Sequence, residues 1–203
     1  LADPVAAVRL PLPVRDSGFS VMFAGNIGAA QAMPVIVEAA ALLLPRPDIR
    51  LVIAGSGSEL EWLERQRSER GLTNLHLVGR FPPAAIPSLF ARASALLVTL
   101  ADRPIFAMTV PNKTQAYMAA GRPIIACMNG EGARLVVEAQ AGLAVPAEDP
   151  RGLADAVLRL YGMSAEERER LGANGRRYYR ELFEHEKLVS DLVGHLRGVA
   201  SKP

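Results

Sequence analysis

From Phe19 onward, short apolar runs of β-type residues alternate with helical stretches, and this alternation limits the possible folds more than any other feature of the chain. The runs are residues 19–24, 49–54, 75–78, 95–100, 123–128 and 143–145. They are almost continuously apolar, the mark of strands buried on both faces of a parallel sheet. Between them, Ile36, Ala39, Ala40 and Leu43 fall at i, i+3, i+4 and i+7, the stripe of a one-faced helix. Further helices are expected over 60–70 (polar and solvent-facing), 84–93, 114–120, 133–141 and 153–160. Asp149-Pro150 reads as an N-cap followed by a first-turn proline, Gly142 as a helix end, and Ser164 with Glu167 as a capping box.

The expectation is an α/β fold: a Rossmann-like, doubly wound parallel sheet of about six strands in the order 3-2-1-4-5-6. Residues 1–17, rich in proline and without periodicity, read as a linker or entry segment. The Rossmann-like domain is expected over 18–162 and a helical extension over 163–203. The chain opens on Leu1 without a signal-like segment, so a piece of a longer polypeptide is expected.

Composition excludes several classes. Half of the 203 residues are apolar and 22% are charged, enough for a sizeable core and too little charge for a disordered chain. Aromatics make up 5% and the net charge is +2, which argues against a nucleic-acid platform. The single cysteine, Cys127, rules out a disulfide scaffold and a cysteine-based zinc site. No Asp-x-Asp pair is present, and His76, His185 and His195 are scattered along the chain, so no metal site is expected. The longest apolar run, 33–44, is interrupted by Glu38 and is too short to span a membrane.

In a sheet of this order, ligands bind beyond the carboxyl ends of strands one and four, where the winding reverses. The loop after the first strand reads Gly25-Asn26-Ile27-Gly28, with glycines three apart ahead of a helix start. The nearest approach to a dinucleotide fingerprint, Gly55-Ser56-Gly57-Ser58-Glu59-Leu60, lacks the third glycine, which disfavours an NAD(P) enzyme. After the fourth strand a long loop, 101–110, runs into Pro111-Asn112-Lys113-Thr114-Gln115. With Pro111 in the first helical turn, Lys113 adds its ammonium to the positive end of the helix dipole, a place for a diphosphate. Lys113 is the sole lysine before Lys187, in a chain of twenty arginines and three lysines. Arg103 is a second candidate for the anion, Arg134 a third. Tyr117 reads as a packing residue, and the mixed charges of 166–187 as a solvent-exposed helix or one that crosses to another part of the protein.

Pro111-Asn112-Lys113, followed by Tyr117-Met118-Ala119-Ala120-Gly121-Arg122-Pro123 and combined with Gly25-Asn26-Ile27-Gly28 and Gly55-Ser56-Gly57, resembles the C-terminal half of a retaining GT-B glycosyltransferase of family 4. More narrowly it resembles the bacterial subgroup that attaches N-acetylfucosamine-type sugars to lipid-linked acceptors during surface-polysaccharide assembly. The resemblance spans about residues 19–160. It implies a domain that binds a nucleoside diphosphate sugar, commonly UDP-linked, with the acceptor held by a missing N-terminal domain. Gly25, Asn26 and Gly28 would face the sugar or diphosphate, Arg80 and Phe81 the base, and Lys113 the diphosphate as the catalytic group. Asn129, Gly130 and Glu131 would rim the pocket.

The sequence departs from the family at informative places. The Arg and Lys that clasp the diphosphate in many members are replaced by Asn26 and Gln31, and the paired glutamates fall on Met108 and Ala116. Gln115 and Glu131 stand as replacements for the ribose contact. The resemblance further implies no cofactor, a metal-independent reaction, a polyprenyl-diphosphate-linked or saccharide acceptor, and no nucleic-acid partner. It also implies a cytoplasmic location with peripheral contact at the inner face of the plasma membrane. A nucleotide-sugar 2-epimerase-like GT-B enzyme and a non-catalytic nucleotide-binding or assembly module remain as alternatives.

Overall fold

A computed structural model of the chain describes residues 18–184 together with Val189 and Val193. The expected entry segment 1–17, His185, His195 and the end of the charged stretch lie outside the described residues.

Six parallel strands form one sheet in the order β3-β2-β1-β4-β5-β6, the order expected from the sequence. They are β1 (Phe19–Asn26), β2 (Ile49–Ser56), β3 (Leu75–Gly79), β4 (Ala95–Thr99), β5 (Ile124–Cys127) and β6 (Gly142–Val145). Alternate residues of each strand point to opposite faces. Val21, Phe23, Leu51 and Ile53 therefore enter one core, and Met22, Ala24, Val52 and Ala54 the other. The first core is closed by α1 (Met33–Leu43), α2 (Leu60–Glu69) and α7 (Pro150–Gly162). The second is closed by α3 (Ile86–Arg92), α5 (Asn112–Ala120), α6 (Glu131–Glu138) and α8 (Ala165–Leu182).

The stripe read on α1 is the buried face: Ile36, Ala39, Ala40 and Leu43 are all at most 1% exposed. Burying Ile36 and Leu43 alone contributes roughly 2 kcal/mol each. The caps are as read. Asp149 accepts the Gly152 amide at 2.9 Å, and Ser164 and Glu167 exchange side-chain to backbone bonds at 2.8 and 3.2 Å.

Three local expectations are corrected. Gly142 opens β6 instead of ending a helix: a Cβ there would lie 1.8 Å from the Ile124 carbonyl oxygen of the neighbouring strand. The chain leaves α6 with Gln140 at φ 49° instead. Pro111 is the N-cap of α5, in extended backbone, one residue before the first turn. The loop at 101–110 contains a short helix, α4 (Pro104–Ala107).

The charged helix α8 is not a free solvent helix. Its Gly172 and Gly175 are buried against Gly121 and Ala141, and Tyr178 and Tyr179 pack on the second core. Arg168 and Arg176 donate to carbonyls at the ends of α7 and α5, the Arg176 bond to Ala120 being 2.9 Å long. Such bonds use carbonyls that a helix end leaves unpaired. Among the described residues, no helix is long and apolar enough to cross a membrane.

A Cβ at Gly172 would sit 2.1 Å from the Gly121 carbonyl oxygen, whereas one at Gly162 would meet nothing within 4 Å. Gly172→Ala is expected to destabilise the chain by about 2 kcal/mol, the usual cost of overpacking, and Gly162→Ala to be neutral or better. Urea unfolding of the two variants side by side checks this; equal stabilities would refute the close packing of α8 on α5.

Candidate donor site at the reversal of the sheet

The site forms where β1 and β4 part. They pair only at Val21↔Ala95 and Met22↔Leu96, although β1 stays in register with β2 to its end at Asn26↔Ser56. Because α1 and α5 lie on opposite faces of the sheet, a gap opens at the carboxyl ends of the central strands. The turn after β1 lies across this gap. Thr99 donates to the Gln31 carbonyl at 2.6 Å, and the Ala101 amide donates to Ala30 at 3.0 Å.

The turns after β1 and β2 touch backbone to backbone. A Cβ at Gly55 would lie 1.8 Å from the Gly25 carbonyl oxygen, and both glycines have positive φ, 143° at Gly25 and 151° at Gly55. The Ile27 amide donates to Ser56 at 2.9 Å, and the Glu59 amide donates to Ile27 at 3.0 Å. With no side chains between them, the two turns leave backbone exposed to a ligand.

Beside these turns is a cleft of about 320 Å³ lined by Gly25, Asn26, Gly55, Ser56, Arg80 and Phe81, with Ala24, Ala54 and Ile86 completing its walls. Arg80 is exposed and Phe81 half-buried, so the cleft offers a cationic rim and an apolar wall. That pairing suits a planar base with polar edges.

Lys113, at the second position of α5, reaches back to β1. Its Nζ lies 3.8 Å from the centre of the Phe23 ring and 3.1 Å from where a Gly25 Cβ would stand. It is shielded from solvent and has no hydrogen-bond partner among the described residues. Burial lowers its pKa from 10.5 to about 8. The ring face compensates part of the lost hydration, but among the described residues no carboxylate pairs with the ammonium. An ammonium held in this way is costly to the fold, which makes Lys113 the leading candidate for a functional group at this cleft. The α5 N-terminus adds amide dipoles of the same sign, and no side chain caps it.

Of the residues singled out in the sequence, Gly25, Asn26, Arg80 and Phe81 line the cleft, and Lys113 meets it at Gly25. Gly28, Pro111, Asn112, Gln115 and Glu131 do not line it. Glu131 is exposed and engaged by Arg134 on its own helix at 2.5 Å, which holds its carboxyl below the ordinary range. Asn129 donates to Asp102 at 2.9 Å and accepts the Ala147 amide at 3.1 Å, tying two loops together. Asn26 and Gln31 turn their side-chain amides toward each other, 3.3 Å apart. Arg103 caps α4 and lines a neighbouring hollow with Ala29 and Ala101. Met108, where the first of the family's paired glutamates would fall, is 70% exposed.

The sequence marks Gly55 and Ser56 as landmarks of the resemblance and as part of an incomplete fingerprint but gives them no place in the cleft, and it does not single out Ile86. The signal available was the strand order, which places the end of β2 beside the end of β1.

The architecture matches solved GT-B glycosyltransferases. HepE of Anabaena, crystallised with UDP and glucose, superposes with a TM-score of 0.78 at 19% identity, over 96% of this chain and 52% of that one. The C-terminal domain of the group 1 glycosyl transferase LpcC from Francisella tularensis gives 0.70 at 19% identity, over 83% of this chain and 88% of that one. The family model for glycosyl transferases group 1 matches residues 18–163, and the chain belongs to that family. A curated relative, the probable glycosyltransferase WbjE of Pseudomonas aeruginosa, is 31% identical over 134 residues. That match takes in 65% of this chain and 33% of the relative, so the chain spans about a third of WbjE.

Lys113 also makes stability depend on pH. Between pH 8 and 10.5 the unfolded chain still holds the proton that the folded chain has released, so stability rises with pH across this window. Lys113→Met is expected to be more stable than the parent at neutral pH, by up to roughly 3 kcal/mol, with the gap closing toward alkaline pH. Urea unfolding across that pH range measures the gap, and a gap that does not vary with pH would refute the buried ammonium.

Proposed function

We propose that the chain is the donor-binding part of a retaining GT-B glycosyltransferase of family 4, one that uses a nucleoside diphosphate sugar, UDP-linked. The acceptor, a lipid-linked or saccharide hydroxyl, is held by the remainder of the polypeptide. The observation that carries this reading is the unpartnered Lys113 ammonium facing Gly25 at the edge of the cleft. The UDP and glucose bound by HepE, a protein of the same architecture, are in keeping with it.

In the reaction, the bond between the anomeric carbon and the diphosphate oxygen breaks, and the acceptor oxygen attacks from the same face while its proton passes to the departing diphosphate. Positive charge grows on the sugar and negative charge on the departing diphosphate. Lys113 and the first amides of α5 are fixed before the reaction begins, so they stabilise the leaving group without reorganising. Below about pH 8 the ammonium is charged, and an arriving diphosphate strengthens its hold on the proton. These groups supply positive charge from the protein itself, in keeping with a metal-independent reaction. Arg80 and Phe81 would hold the base.

The motif order around Lys113 and Tyr117 supports the narrower placement among enzymes moving N-acetylfucosamine-type sugars onto polyprenyl-linked acceptors. Such an enzyme works at the cytoplasmic face of the inner membrane.

In the full-length enzyme, Lys113→Ala should lower turnover about tenfold or more, equivalent to about 1.4 kcal/mol of leaving-group stabilisation. Steady-state kinetics with a UDP sugar test this, and unchanged turnover would remove Lys113 from the mechanism. Activity is expected to survive dialysis against EDTA; a loss restored by a divalent cation would overturn the metal-independent reading.

A further inference from the structure

Building on the donor-site reading, we propose that Tyr117 is a positioning residue: its hydroxyl clamps α5 to β1 and thereby sets Lys113 against the Gly25 turn.

The Ser94 amide donates to the Ser20 carbonyl, so the backbone of Ser20 faces β4. By the two-residue period of a strand, the backbone groups of Met22 and Ala24 face the same side. Pairing with β4 ends at Met22, which leaves the Ala24 N–H and C=O opposite the gap. The Tyr117 hydroxyl occupies it. It accepts from the Ala24 amide at 2.9 Å and donates to the Ala24 carbonyl at 3.2 Å, replacing a missing strand with one oxygen atom.

Ala24 lies between Phe23 and Gly25, the two residues that the Lys113 ammonium touches. Tyr117 lies one helical turn after Lys113, so both project from one face of α5. The ammonium and the hydroxyl thus engage three consecutive residues of β1. The Tyr117 ring is fully buried and meets Phe90 edge to face at 5.0 Å. Phe90 lies one turn after Ile86 on α3, a wall of the cleft. One side chain therefore joins the helix bearing Lys113, the strand bearing Gly25 and the helix bearing Ile86. A phenylalanine at 117 would preserve the packing but leave two buried backbone groups unpaired, so the end of β1 would shift to recover partners.

The three lysines, Lys113, Lys187 and Lys202, allow a direct test. In the 203-residue chain carrying 13C at lysine Cε, the resonance that disappears in Lys113→Ala belongs to Lys113. In the parent it is expected to be displaced by the Phe23 ring and to titrate near pH 8. In Tyr117→Phe, while the chain still melts cooperatively, the displacement should shrink and the midpoint should rise by about half a unit or more. UDP affinity should fall about fivefold in the parent background and by less than about twofold in Lys113→Ala, because the effect passes through the ammonium. Phe90→Leu, which disturbs the same ring while sparing the hydroxyl, should leave the Lys113 resonance in place.

An unmoved Lys113 resonance in Tyr117→Phe would overturn the proposal. So would an equal shift in Phe90→Leu, or an equal loss of UDP affinity in both backgrounds. Absence of UDP binding by the parent would count against the donor reading, whereas the lysine resonance would still decide the role of Tyr117.

Discussion

The parting of β1 from β4 is the constraint on which the rest of the structure depends. A parallel sheet wound in both directions from its centre must have a place where the two central strands send their chains to opposite faces. In this chain the ladder between them is two residue pairs long, and the Tyr117 hydroxyl and the Lys113 ammonium lie just beyond it. The turn after β1 lies over the gap, a tyrosine hydroxyl fills its floor, and a lysine enters from α5. Backbone groups left without a strand partner have to be satisfied by something. Satisfying them with a side chain of α5 couples that helix to the site.

The electrostatics follow from this geometry. Most buried cations in proteins are balanced by a carboxylate, which ties up their charge. Lys113 rests instead on an aromatic face beside a glycine, so its charge stays available to a ligand. The glycine is required twice over, by its positive φ and by the nearness of the ammonium. The carboxylates nearest to the motif in sequence play other parts. Glu131 is turned to Arg134, and the positions expected for the family's paired glutamates carry Met108 and Ala116. In the proposed donor site, an anion would therefore meet one ammonium and the α5 dipole, not a clasp of several charges.

Much of this was legible before any coordinates. Strands buried on both faces need apolar residues at nearly every position, and β1, β2, β4 and β5 show it plainly. Capping is chemistry between residues three apart, so Asp149 and the Ser164–Glu167 pair were readable as well. The errors fell where a residue's role is set by a distant neighbour. Gly142 looks like a helix stop until β5 is placed beside it, and Gly55 looks like a broken fingerprint until it is laid against Gly25. Arg103, an anion candidate on charge alone, lines a hollow beside α4 and not the cleft.

Sequence by itself determined the class of fold, the strand order through the rule of reversal, and the turn after β1 as one wall of the cleft, because periodicity and local turn chemistry are properties of neighbouring residues. The tertiary structure alone decided that Phe23 underlies Lys113, that Ser56 and Ile86 belong to the cleft, and that Tyr117 stands in for a missing strand. Tyr117 and Ala24 are 93 residues apart. Their meeting depends on how far β4 diverges from β1, a distance set by the packing of two helical layers and encoded in no local pattern.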